Sequence, residues 1–216
     1  VVVPEYLRTK TLDVILCSVY LMIRRPQRST LFPYTTLFRS VTQSPYSGAT
    51  QRSEGSYALW EVKGGFPEMD DLQISRLWRS FFLQLRGRAG TFKLIIPGTG
   101  APSTAYTGAV GLVDGASQTG LTLVTKTWDN TTLVLQDGDY FTVNDELKIL
   151  TADATTDGAG AVTLSFEPPL RTSPADGAAL TIANPYFIAR LQNDDPSWNL
   201  RPPYFHAFAF EATENF

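Results

Sequence analysis

The sequence predicts a mainly β fold, a β-rich α+β arrangement. In it a discontinuous β-sandwich-like domain with one amphipathic helix holds an inserted, small all-β barrel-like domain. Three observations carry that expectation. A single stretch, near residues 70–86, repeats its apolar side chains at the helical period. Residues 98–183 are rich in Gly, Thr, Ala and Asp and place turn pairs at close intervals between short β-prone runs. Alternating aromatic strands stand before residue 97 and after residue 184, and each set needs the other to bury its face.

Residues 56–62 (SYALWEV) alternate and read as a strand, stopped by Gly64-Gly65 and Pro67. Asp70 or Asp71 is placed to cap the helix, whose core face is expected to be Ile74, Leu77, Trp78, Phe81, Phe82 and Leu85. Arg86 suits the negative end of the helix dipole, and Gly87 supplies a left-handed cap. Residues 91–96 put Phe92, Leu94 and Ile96 on one strand face before Pro97-Gly98. Further strands are expected at 122–126, 132–135, 140–143, 147–150, 161–166 and 179–182. Asp137-Gly138, Asn144-Asp145 and Asp157-Gly158 serve as turns, and Glu167-Pro168-Pro169 closes the penultimate strand. After Asn184-Pro185, residues 186–191 alternate, 193–203 read as a loop containing Trp198, and 205–211 put His206, Phe208 and Phe210 on one strand face.

The chain's 216 residues, 43% hydrophobic and 18% charged, are those of a globular protein rather than a disordered one. No run reaches the roughly 18–20 apolar residues of a membrane helix, so no membrane insertion is expected. One cysteine, Cys17, and one histidine, His206, exclude a disulfide framework and a cysteine zinc site and leave too few parts for most metal chemistry. The net charge of −3 does not suggest a nucleic-acid partner.

That charge is unevenly spread. Residues 1–40 carry Arg8, Lys10, Arg24, Arg25, Arg28 and Arg39 against Glu5 and Asp13, a net of +4, which leaves −7 for residues 41–216. The apolar run 12–23 resembles the core of a targeting peptide. However, the basic residues mostly follow it, and no small-x-small cleavage site precedes Arg24. Residues 22–40 (MIRRPQRSTLFPYTTLFRS) resemble the conceptual translation of a common short-read sequencing adapter, with Gln27 the one departure. Residues 1–40 are therefore expected to be an artefactual or non-native segment in place of the true N-terminus, and Cys17 to carry no functional weight. The expected domains are then 41–97 plus 184–216, and 98–183 inserted between them.

No catalytic, cofactor-binding or metal-binding residue is assigned. His206 lies in a strand pattern with no GxSxG elbow in the chain, which argues against a Ser-His-Asp triad. Asp153 and Asp157 lack the spacing and terminal glutamate of a calcium loop and fit a hairpin turn. Asp137 and Asp139 fit a turn with both acids in solvent. Gly98-Thr99-Gly100 lacks the lysine and following helix of a phosphate loop. Glu61, Glu167 and Glu211 form a glycosidase pair only if folding brings two of them together. Arg79, Arg86 and Arg88 are expected to meet acids or helix carbonyls rather than phosphate, and Asn130-Thr131-Thr132 is a sequon that reads more simply as a polar turn.

The order of segments carries a resemblance. SPYSG near residue 44, Trp60, and the block 66–94 from FPEMDD through the helix to LRGRAGTFKL resemble bacteriophage minor tail proteins of the distal-tail type. Residues 115–128, 135–180 and 184–191 resemble the inserted domain of the same proteins, so that the likeness runs over roughly 44–212. The glycine-rich loop 98–110 departs from the pattern. The resemblance implies a non-enzymatic virion component of the tail tip or baseplate. It would form a homo-oligomeric ring, commonly a hexamer, between tail tube and hub, and would be assembled in the cytoplasm of the bacterial host. The alternative from the residues is a carbohydrate-binding module that meets host-surface glycans through Tyr140, Trp128 or Trp198.

Overall fold

A computed structural model of the chain describes residues 32–43, 50–65, 72–194, 197–201 and 205–215. Cys17, the SPYSG segment and the candidate helix caps, Asp70 or Asp71, lie outside them. The fold is β-rich, with one α-helix, α1 (Leu72–Leu85), among the described residues. The chain forms two compact units, Glu61–Pro97 with Phe187–Phe216, and Tyr34–Trp60 with Gly98–Tyr186. Residues 41–60, expected with the first unit, thus group with the second. The reason lies in Trp60, whose Nε1 donates to Leu147 O at 2.9 Å and whose ring meets Tyr140 at 6.0 Å. Strand β1 (Phe32–Gln43) begins inside the adapter-like segment and lies beside β2 (Thr50–Gly65).

In the first unit the segments on either side of the 98–183 stretch share one sheet. The end of β2 pairs antiparallel with β13 (Phe205–Glu214), in a register that runs from Ala209↔Gly65 to Thr213↔Glu61. Beyond β13 come β11 (Tyr186–Leu191) and β3 (Thr91–Ile95). Strand β12 (Ser197–Arg201) pairs with β13 where a loop was expected, so Trp198 stands in a strand opposite Phe208. Phe92, Leu94, Phe187, Ala189, Phe210 and Ala212 are buried along these strands.

Helix α1 covers that sheet through aromatic contacts. Phe81 meets Phe92 edge-on at 5.5 Å, and Phe82 meets Phe210 at 6.0 Å. Among its described side chains the buried line is Ser75, Trp78, Phe82 and Leu85, whereas Leu77 is 54% exposed; the Ile74 side chain lies outside them. The buried face is therefore turned away from Leu77 and toward Ser75. The small Ser75 is wholly buried on this line with Trp78 and Phe82. The cost is a Ser75 hydroxyl buried without a hydrogen-bond partner.

The helix ends in two left-handed residues, Arg86 (φ 51°) and Gly87 (φ 64°), and Gly90 N–H closes on Leu85 O at 2.8 Å. A Cβ on Gly87 would stand 2.7 Å from Asp194 Oδ1 and 2.9 Å from its Cα. Gly87→Ala is therefore expected to destabilise the first unit by about 2 kcal/mol, half from the left-handed backbone and half from displacing Asp194. Gly98→Ala, left-handed with nothing within 4 Å, should cost only the backbone share of about 1 kcal/mol, and urea titration of the two variants measures both losses.

The second unit carries the five-stranded order β4 (Leu112–Val113), β5 (Gly120–Lys126), β10 (Val162–Leu170), β8 (Glu146–Leu150), β7 (Tyr140–Val143), and a pair of β6 (Leu133–Leu135) with β9 (Ala154–Thr155). Its core includes Leu123, Trp128, Val134, Phe141, Leu164 and Phe166. Asn144 (φ 51°) and Asp145 (φ 62°) make the two-residue turn between β7 and β8, with Val143 opposite Glu146. Two expectations change here. Strand β10 continues through Pro168 and Pro169 because the register slips between Ser165 and Leu170, where a missing N–H costs no ladder bond. Residues 179–182 make isolated bridges only, Leu112↔Ala179 and Thr142↔Thr181.

Candidate functional site

Two polar centres organise the second unit. In the first, the carboxylate of Glu146 and the cations of Lys148 and Arg171 are all withdrawn from solvent. Lys148 Nζ donates to Glu146 Oε2 at 2.7 Å and to Pro169 O at 2.8 Å, with the Phe166 ring 6.0 Å away. Glu146 also accepts the backbone N–H groups of Arg171 at 3.2 Å and Thr172 at 3.0 Å. Arg171 Nη1 reaches Ala58 O at 3.3 Å, and its Nε stands 3.6 Å from Glu146 Oε2. Apart from the Lys148–Glu146 bond within β8, these bonds tie one strand or loop to another, which is the arrangement of a structural ion cluster.

The second centre is Asp139, which corrects the expectation of a solvated acid. It is 7% exposed. Its carboxylate accepts Ser103 N–H at 3.0 Å, Ser103 Oγ–H at 2.5 Å and Gln136 N–H at 2.9 Å, pinning the loop after Gly98 to the β6–β7 turn. A cleft of about 140 Å³ opens beside it, lined by Gly98, Thr99, Ser103, Gly138, Tyr140 and Ile182 among others. Tyr140 is half-buried there, and burial pushes its phenol above the usual tyrosine value.

The residues singled out from sequence fall as follows. Glu61 and Glu211 lie diagonally on one face of β2 and β13, with Lys63 directly opposite Glu211 and bonded to it at 2.9 Å. Glu167 belongs to the other unit, opposite Ile149. Asp157 Oδ1 accepts the N–H groups of Ala161 and Ala159, both at 2.8 Å, and these bonds hold its carboxyl below the usual aspartate range. Asp153 accepts Asp137 N–H at 2.9 Å. Both acids are thus engaged in turns, and among the described residues no group of three or more His, Cys, Asp or Glu is placed to hold a metal ion. Thr132 Oγ donates to Asn130 O at 3.0 Å with Thr131 left-handed, so the sequon is folded as a turn. Arg88 meets Asp194 through its backbone N–H at 3.0 Å.

Of the aromatic residues proposed for glycan contact, Trp128 is 3% exposed and its Nε1 donates to Thr125 Oγ at 2.8 Å, so it offers no ring to a saccharide. The Trp198 and His206 side chains lie outside the described residues. Sequence reasoning missed the burial of Asp139 and the Glu146–Lys148–Arg171 cluster. In β8 the signal was Glu and Lys alternating with apolar residues, which reads as a solvated face unless both faces are covered. No helix among the described residues is long and apolar enough to cross a membrane. Neither known protein families nor curated proteins give a match to this chain.

Proposed function

We propose that the protein is a non-enzymatic structural component of a phage virion, at the tail tip or baseplate, acting by ring assembly and docking between the tail tube and the hub or receptor-binding parts. The observation that carries this reading is the order of sequence segments from residue 44 to 212, of which LRGRAGTFKL is the most distinctive. The fold gives that segment a physical role. Gly87 and Gly90 let the chain turn from α1 into β3 in five residues, with Gly90 against the Leu85 carbonyl. The buried acids and cations of the second unit are engaged in holding strands together, as suits a rigid assembly part. Self-assembly into a ring, a hexamer by the resemblance, is the expected oligomeric state. Mass photometry and negative-stain imaging, applied to the full chain and to a chain beginning at Val41, test the proposal. Ring-shaped particles that bind tail-tube or hub protein are expected. A persistent monomer that binds neither would overturn it.

A further inference from the structure

The outward face of α1 carries Arg76, Leu77, Ser80, Leu83 and Gln84, opposite the buried line through Trp78 and Phe82. Leu77 and Leu83 are 54% and 66% exposed. Residues 72–90 hold four arginines, Arg76, Arg79, Arg86 and Arg88, and no acid. Arg79, Arg86 and Arg88 were expected to find acids, yet none of the four guanidinium groups is ion-paired among the described residues. Arg79 Nε is moreover buried without a hydrogen-bond partner. Arg76 and Arg79 stand one turn apart, where like charges repel, and the helix has no glutamate or aspartate to offset them.

Residues 98–183 show the opposite excess. They carry ten acids against Lys126, Lys148 and Arg171, a net of −7. Those three cations are taken by Asp114, Asp176 and Glu146, which leaves the other seven acids without one among the described residues. Two of the seven, Asp137 and Asp153, are exposed on neighbouring turns, where Asp153 Oδ1 accepts Asp137 N–H at 2.9 Å. One copy of the chain therefore offers an unpaired basic helix face, and another offers unpaired carboxylates to meet it. The leucines set among the arginines favour a protein surface over phosphate, which would leave them in water.

We propose that the outward face of α1 docks on the second unit of a second copy of this chain, with Arg76 and Arg79 facing Asp137 and Asp153 and the two leucines covered. Two different surfaces meet in such a contact, so it repeats head to tail and generates a ring where its rotation closes. It rests on the ring assembly proposed above and names the surfaces that make it. Sedimentation velocity and mass photometry of the full chain test it. Arg76→Glu with Arg79→Glu, or Asp137→Lys with Asp153→Lys, should each weaken self-association about tenfold or more, because like charges then face each other. The chain carrying all four substitutions should regain the parental association, and an equimolar mixture of the two reversed chains should associate better than either alone. A reversed chain that had merely misfolded would not be rescued in this way. Association that persists in both reversed chains, or a fourfold variant no better than either of them, would overturn the docking and leave the ring standing. Association lost and restored as expected, but with no ring-shaped particles, would keep the docking and overturn ring closure. A parent that stays monomeric overturns both.

Discussion

Glu146→Ala is expected to destabilise the second unit by about 3–5 kcal/mol, the range seen when one partner of a buried ion pair is removed. The size follows from what remains. Lys148 is fully buried and Arg171 nearly so, and the truncation leaves both cations without the carboxylate that lies 2.7 Å from one and 3.6 Å from the other. It also strips the acceptor from the backbone N–H groups of Arg171 and Thr172. Lys148→Met should cost much less, about 1–2 kcal/mol, because Glu146 keeps Arg171 and both N–H donors while an apolar chain of similar length fills the space. Urea unfolding followed by tryptophan fluorescence measures both. Equal losses for the two variants would mean that the carboxylate is not what neutralises this centre.

The same cluster shows why part of the molecule was not legible in the sequence. A positive φ leaves a local signature, so Asn144-Asp145 could be read as a turn without knowing what it connects. Burial leaves none. Glu146 and Lys148 alternate with apolar residues in a pattern that ordinarily marks a half-exposed strand, and only the packing of both faces of β8 makes them interior. Asp139 differs from Asp137 in the same way, since the loop that covers it comes from Ser103, 36 residues away. The helix shows an intermediate case. Its period was plain, but its phase depends on the surface it meets, and that moved Leu77 out and Ser75 in. Strand β12 and the continuation of β10 past Pro168 were hidden because each depends on a partner or a register slip that local propensity does not encode.

Gly111→Ala is expected to cost about 3 kcal/mol or more, at or above the top of the usual range for overpacking. Gly111 has no positive φ, so the penalty is steric alone: a Cβ there would fall inside the Trp128 indole, at Cζ2 and Cε2. The indole has little freedom to retreat. Its Nε1 is held by Thr125 Oγ, its backbone N–H donates to Gly160 O at 3.1 Å, and Tyr106 packs against it with ring centroids 5.8 Å apart. Gly160, left-handed at φ 72°, is itself closed to a side chain by the Trp128 carbonyl. Gly115→Ala separates the steric share from the backbone share. That residue has φ 88° and open space around it, so its loss should stay near 1 kcal/mol. Trp128→Phe removes the part of the ring that Gly111 accommodates. The double variant Gly111→Ala with Trp128→Phe should therefore be more stable than the sum of the single losses predicts, by about 1 kcal/mol or more. Additive losses in that cycle would show that Gly111 is required for something other than seating the indole.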